Sequence, residues 1–209
     1  MPVERIHKPI VGSENNGIVT VTGISSSGKD YLVNLAAKKE PSLIGGRVRL
    51  FHFGSELTQV VAQNMPHTLS NGRDSLKNLP PALLTEYVEE TLRKLLGVQP
   101  VVQLTHVVVN QQGKLMVNPK SENTTLAKAY LYVWSDPALI YSWRLAELAK
   151  RNRTIESIDD ISFHQEIALA TTTILSRKLG AGMFVVYNIC DDVNENVDQI
   201  NNIIEELLV

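Results

Sequence analysis

Cysteine is almost absent from this chain: Cys190 stands alone, which excludes an internal disulfide and any cysteine-rich zinc site. No apolar run approaches the ~18 residues that a membrane-spanning helix needs, and residues 1–16 hold no apolar core of the kind that drives secretion. The chain is therefore expected to be soluble and cytoplasmic, with no membrane partner. Neither charge sign dominates, with 20 Lys and Arg against 22 Asp and Glu, so no broad attraction to polyanions is expected. Aromatic residues make up only 6% and no basic stripe interleaves with them, which argues against nucleic acid as a partner. Internal repeats, heptads and low-complexity tracts are missing too. At 209 residues, one medium domain with small insertions is the simplest organisation.

What is present begins at Gly17-Ile-Val-Thr-Val-Thr-Gly23-Ile-Ser-Ser-Ser-Gly28-Lys29-Asp30, where a short β-branched run enters a glycine-bounded loop that closes with Gly-Lys and opens a helix. Glycines at 23 and 28 let successive N–H groups of Gly23, Ile24, Ser25, Ser26, Ser27 and Gly28 face one concavity. Lys29 adds a charge able to reach β- and γ-phosphates, and the helix N-terminus adds its dipole. The phosphate-loop pattern matches at every position but the last, where Asp30 replaces the Ser or Thr that binds Mg²⁺. An ordinary strand-to-helix turn is the plainer alternative.

Elsewhere the apolar pattern switches between short β-rich runs and longer helical spacing, the mark of βα units around a mostly parallel sheet. Strands are expected at Ile18–Thr22, Val48–Phe53, Val101–Val109, Ala129–Trp134 and Met183–Tyr187. Helices are expected at Lys29–Lys39, Glu56–Gln63, Pro81–Leu96, Pro137–Lys150, Ile161–Leu179 and Val193–Leu208. A small hairpin is expected around Asn110–Lys114. The segments Met65–Leu79 and Arg151–Asp160 fit neither layer. Beyond the strand ends, where α/β proteins bind ligands, they suit an acceptor wall and a lid.

Phosphoryl transfer needs cations around the phosphates, and Arg151 and Arg153 suit that role, although a solvated helix end would have the same composition. Arg73 and Lys77 share one face if their segment is helical, either to hold an acceptor phosphate or to make surface ion pairs. His52 and His106 lie near strand ends, where framework hydrogen bonding is the plainer role and proton transfer the alternative.

The order of these parts resembles the archaeal-type adenylate kinases, a branch of the P-loop nucleoside monophosphate kinases. The resemblance is carried by Val21-Thr-Gly-Ile-Ser-Ser-Ser-Gly-Lys29, Phe53-Gly-Ser55, Arg73-Asp74, Leu79-Pro-Pro81, Thr105-His106, Asp136-Pro137, Arg151-Asn-Arg153 and Val185-Val-Tyr-Asn188. It implies an α/β P-loop fold with a five-stranded parallel sheet over residues 17–209, preceded by an N-terminal extension at 1–16. It also implies ATP and Mg²⁺ as cofactors, with ATP on Gly23–Lys29 and its neighbours Asp30 and Tyr31. Adenine would lie near Asn188. A nucleoside monophosphate, AMP first, would sit near Gly54, Ser55, Arg73, Lys77 and His106, under a lid carrying Arg151 and Arg153.

Three residues depart from the family. Leu104 stands where the family has an acid that orients a water on Mg²⁺, Asp30 replaces the hydroxyl residue, and Lys77 replaces an arginine. Two further readings stay open: a kinase of another small phosphorylated acceptor, and a nucleotide-binding protein without turnover. The first two departures suggest that Asp30 supplies from the loop the metal-organising carboxylate that Leu104 lacks. Asp30→Asn is then expected to raise the Mg²⁺ concentration required for ATP binding, measured by calorimetry across a Mg²⁺ series. An unchanged requirement would sink that link.

Overall fold

The β-rich runs at 18–22, 101–104 and 182–186 are buried throughout, on both faces, which suits strands covered by helices on two sides. The computed structural model describes residues 3–7, 17–65, 76, 79–95, 100–111, 113–117, 127–148, 156–189 and 193–209. The elements run β1 Val3–His7, β2 Ile18–Thr22, α1 Lys29–Lys39, β3 Arg49–His52, α2 Phe53–Asn64, α3 Pro81–Leu95 and β4 Val101–Leu104. They continue with β5 Val108–Gln111, β6 Lys114–Val117, β7 Ala127–Ser135, α4 Pro137–Glu147, α5 Ile158–Lys178, β8 Gly182–Asn188 and α6 Val193–Leu208.

The main sheet has the order β1-β8-β7-β2-β4-β3. Strands β3, β4, β2, β7 and β8 are mutually parallel, as the sequence pattern implies. β2 lies between β4 and β7, at the place where the strand order reverses, and such a switch point is where open α/β sheets bind ligands.

Alternation along β7 divides the core. Leu131 and Val133 face one side with Leu32, Val33 and Ala36 of α1 and Val197, Ile200 and Ile204 of α6. Tyr130 and Tyr132 face the other with Ile140 of α4 and Ile161, Ala168 and Leu175 of α5. A third cluster seats α2 and α3 around Phe51 and Val101.

The structure differs from the sequence reading at four places. Val3–His7 adds a sixth, antiparallel edge strand against β8. It is held by Arg5 pairing with Glu206 at 3.1 Å and lying 4.9 Å over the Phe184 ring, contacts that no local pattern announces. The expected strand 101–109 breaks after Leu104, because the Val107 N–H donates to Thr22 Oγ1 at 3.2 Å and draws the chain across the end of β2. The expected hairpin follows as β5 and β6. α2 starts directly from β3 at Phe53, which puts Gly54 and Ser55 in its first turn. α5 starts at Ile158 under a capping box, with Asp160 N donating to Ser157 Oγ at 3.1 Å and Asp160 reaching back to the Ser157 N–H.

Asp136, one of the residues that carries the family resemblance, has a local structural job: its carboxylate accepts from the Ala138 N–H at 2.7 Å and caps α4 ahead of Pro137. Asp136→Ala is expected to lower unfolding stability by about 1 kcal/mol, read as a shift of the urea midpoint at unchanged slope. An unmoved midpoint would show that the cap carries no stability.

Candidate active site

At the C-terminal end of β2 the chain turns through Gly23 to Gly28 before α1 begins. Only glycine fits at 23, since a Cβ there would stand 2.7 Å from the Val133 carbonyl oxygen and 2.7 Å from Ser27 Oγ. Gly28 caps α1 at φ 80, and a Cβ on it would run into the Asn188 amide. Ser26 adopts φ 67, a left-handed backbone that a residue with a side chain rarely takes. Left-handed turns of this kind gather N–H groups into an anion-binding concavity.

The Ser27 N–H donates within the loop to the Ile24 carbonyl at 3.2 Å, and the Ser27 carbonyl is taken by side chains of β7 and β8. Ser135 Oγ donates to the Ser27 carbonyl at 2.7 Å, and Asn188 Nδ2 donates to the same oxygen at 3.1 Å. Gln165 braces Ser135 with two backbone bonds, Nε2 donating to the Ser135 carbonyl at 2.8 Å and Oε1 accepting from its N–H at 3.1 Å. Ile24 is fully buried, so its side chain anchors the loop while its backbone shapes it.

Lys29 is only 5% exposed. Its ammonium donates to Asp30 Oδ2 at 3.0 Å and lies 3.3 Å from His106 Nε2. His106 Nδ1 is 2.7 Å from the Gly23 carbonyl, which can only accept, so Nδ1 carries the hydrogen and Nε2 of the neutral ring accepts from Lys29. His52 Nδ1 stands 3.4 Å from Asp30 Oδ1. Burial raises the Asp30 carboxyl, but the His52 hydrogen bond and the Lys29 charge outweigh it and hold the group well below the ordinary carboxylate range. Asp30 is thus an anion at any physiological pH.

These side chains line a polar cleft with Gly54, Ser55, Leu104 and Thr105. Of the residues singled out in the sequence, the structure brings Lys29, Asp30, His52, Gly54, Ser55, Leu104 and His106 to this one cleft beside the loop. Asn188 lies at the back of the loop, its amide committed to the Ser27 carbonyl. Tyr31 is 57% exposed and does not line the cleft. Arg73, Lys77, Arg151 and Arg153 fall outside the described residues.

A loop that only glycine can close and a buried ammonium beside it fit a polyphosphate. For Mg²⁺ the described residues of the cleft supply one carboxylate, Asp30, and Leu104 adds an apolar wall. Among the described residues there is no group of three or more His, Cys, Asp or Glu that could hold a metal. That donor set fits an ion bound chiefly by phosphate oxygens and water, as Mg²⁺ prefers, and does not fit a metal held by the protein alone.

Sequence reasoning missed a second buried group. Arg144 on α4, 7% exposed, donates through Nη2 to the Ser25 carbonyl at 2.9 Å and pairs through Nη1 with Glu156. Glu156 Oε1 also accepts from Asn110 Nδ2 at 2.7 Å and lies 3.2 Å from His164 Nδ1. Burial raises the Glu156 carboxyl, yet the bonds from His164 and Asn110 and the Arg144 charge bring it down to about 2. The available signal was weak: Arg144 follows the buried Ile140 by four residues, on the same helical face.

No family model matches the chain. Among curated proteins it is similar to the adenylate kinase of Thermococcus kodakarensis, 27% identical over 176 residues, covering 82% of this chain and 86% of the relative. It is also similar to the adenylate kinase of Thermococcus sibiricus, 24% identical over 196 residues, covering 90% and 95%. The chain is a distant, divergent homologue of archaeal adenylate kinases. Among solved structures, a shikimate kinase from Bacteroides thetaiotaomicron superposes with TM-score 0.53 at 14% identity, over 90% of this chain and 98% of that one. Shikimate kinase from Acinetobacter baumannii in complex with shikimate superposes at 0.52 and 13% identity, over 91% and 93%. These likenesses establish the fold, an α/β sheet of the P-loop kinase type.

Glu156 gives a pH prediction with a definite sign. Its folded value, about 2, lies below the ordinary 4.5, so the stability it contributes is present in full above 4.5 and is lost as pH falls toward 2. The stability gap between parent and Glu156→Gln, from denaturant titrations, is expected to be constant from pH 7 to about 5 and to narrow below that. A gap that stays constant down to the acid limit of folding would contradict this.

Proposed function

We propose that this distant relative of the archaeal adenylate kinases is an ATP-dependent phosphotransferase that moves the γ-phosphoryl group of ATP to the phosphate of a nucleoside monophosphate, AMP first. The observation that carries the reading is the buried Lys29 ammonium at the closing end of a glycine-shaped loop, facing a cleft walled by Gly54 and Ser55. Loop N–H groups would bind the β-phosphate, and Lys29 would leave Asp30 for the transferred phosphate. Asp30 would then orient water on Mg²⁺, which supplies charge neutralisation on the β- and γ-oxygens when bound. Gly54, Ser55, Arg73 and Lys77 would hold the acceptor, and Arg151 and Arg153 would offset charge as a lid closes. A phosphate acceptor is already a nucleophile, so no histidine base is required, in keeping with the commitment of His106 to Gly23 and Lys29.

One observation favours a second reading. Leu104 lines the cleft where the resemblance calls for an acid, which fits a protein that binds nucleotide without turnover. The two part on product formation. Parent protein with Mg·ATP and AMP, CMP, UMP, GMP or dTMP in separate reactions is expected to convert one acceptor to its diphosphate. Lys29→Ala is expected to lower that rate about a hundredfold or more. Calorimetric ATP binding by a parent that converts none of them would select the binding protein or an acceptor outside the nucleotides.

A further inference from the structure

Glu156 directly precedes Ser157, the capping residue of α5, and it is tied to Asn110 of β5 and to His164 of α5. Asn110 Oδ1 in turn accepts from the Gly113 N–H at 2.9 Å and closes the β5–β6 turn. Through Arg144, this one carboxylate connects the hairpin and α5 to the Ser25 carbonyl of the loop.

Burying an ion pair is a poor way to gain stability, since apolar side chains of similar volume serve as well. A guanidinium offers something that an apolar residue cannot, a grip on the Ser25 carbonyl. In a trans peptide the carbonyl oxygen and the following N–H point in opposite directions. Holding the Ser25 oxygen on the Arg144 side therefore turns the Ser26 N–H to the other side. Ser26 is the one described non-glycine residue at positive φ, so its conformation has a cost that some fixed contact must offset. Ser135 and Asn188 make the corresponding grip on Ser27, two residues on.

We propose that Arg144 is a positioning residue that presents the Ser26 N–H to the donor phosphate, and that Glu156 couples this presentation to the β5–β6 hairpin and α5. The proposal rests on the reading of the loop as the ATP phosphate site. It involves no contact between Arg144 and the nucleotide.

The test is calorimetric binding of Mg·ATP to the full chain, with unfolding midpoints measured in parallel. Arg144→Lys keeps a charge for Glu156 and loses the two-armed geometry; it is expected to bind ATP about tenfold more weakly with a small change in midpoint. Arg144→Met is expected to lose at least as much affinity. Glu156→Gln should weaken binding in the parent and add little in the Arg144→Met background, because the two act through one contact. Val88→Ala, a core truncation on α3, is the reference for destabilisation alone and should leave affinity unchanged. If Arg144→Lys and Arg144→Met lose stability as Val88→Ala does but bind ATP like the parent, the proposal is overturned and the pair is structural. A parent that binds no ATP, indistinguishable from Lys29→Ala, would remove the phosphate-loop reading itself and this proposal with it.

Discussion

The site depends on one constraint: the Ser25 and Ser27 carbonyls of the loop between β2 and α1 are held by side chains of other elements, while the loop closes on itself through the Ser27 N–H, which donates to the Ile24 carbonyl at 3.2 Å. Ser27 is held by Ser135 and Asn188, and Ser25 by Arg144. The C-terminal ends of β7 and β8 supply Ser135 and Asn188, and α4, which follows β7, supplies Arg144. A parallel sheet brings these ends together although they are more than a hundred residues from the loop in sequence. The order β4-β2-β7-β8 is thus more than a frame for the loop; it brings up the side chains that hold the carbonyls of Ser25 and Ser27 on either side of the left-handed Ser26.

The same geometry explains how a lysine is tolerated at 5% exposure. An isolated buried ammonium would lose its proton or draw in water, whereas Lys29 has a carboxylate on one side and an imidazole acceptor on the other. Asp30 is half exposed and is held by His52 as well, so it can stay ionised when Lys29 turns to another anion. A cleft with a buried cation, a retained anion and no fixed metal cluster among the described residues is organised for a ligand that brings its own negative charge.

Much of this was legible in the sequence, for definite reasons. The loop was readable because glycine at 23 and 28 answers a local backbone need, and the strands of the parallel sheet because both of their faces are buried. The hairpin at Asn110 and Gly113 followed from turn chemistry. Features fixed by distant partners were not legible. β1 exists through β8 and Glu206, the break after Leu104 through Thr22 and Gly23, and the burial of Arg144 through Ser25 and Glu156. In the sequence Arg144 is one arginine in the last turn of an amphipathic helix, indistinguishable from a residue that merely complements the dipole.

Leu104 and Asp30 line the same cleft from β4 and α1, so their joint departure from the resemblance concerns a single space. Had they lain apart, each would count as independent erosion of a catalytic site. Facing one space, they allow the proposed exchange, in which a carboxylate at the residue after the loop lysine takes over from one at the strand end with the number of carboxylates unchanged. The cost of that move is that Asp30 competes for Lys29 when no phosphate is present, at 3.0 Å. His52 offsets the competition by giving Asp30 a second partner that stays in place when Lys29 leaves. Under the proposed function, a carboxylate held ionised between Lys29 and His52 is what a rearranged Mg²⁺ site would need, whereas a site that had only decayed would not call for it.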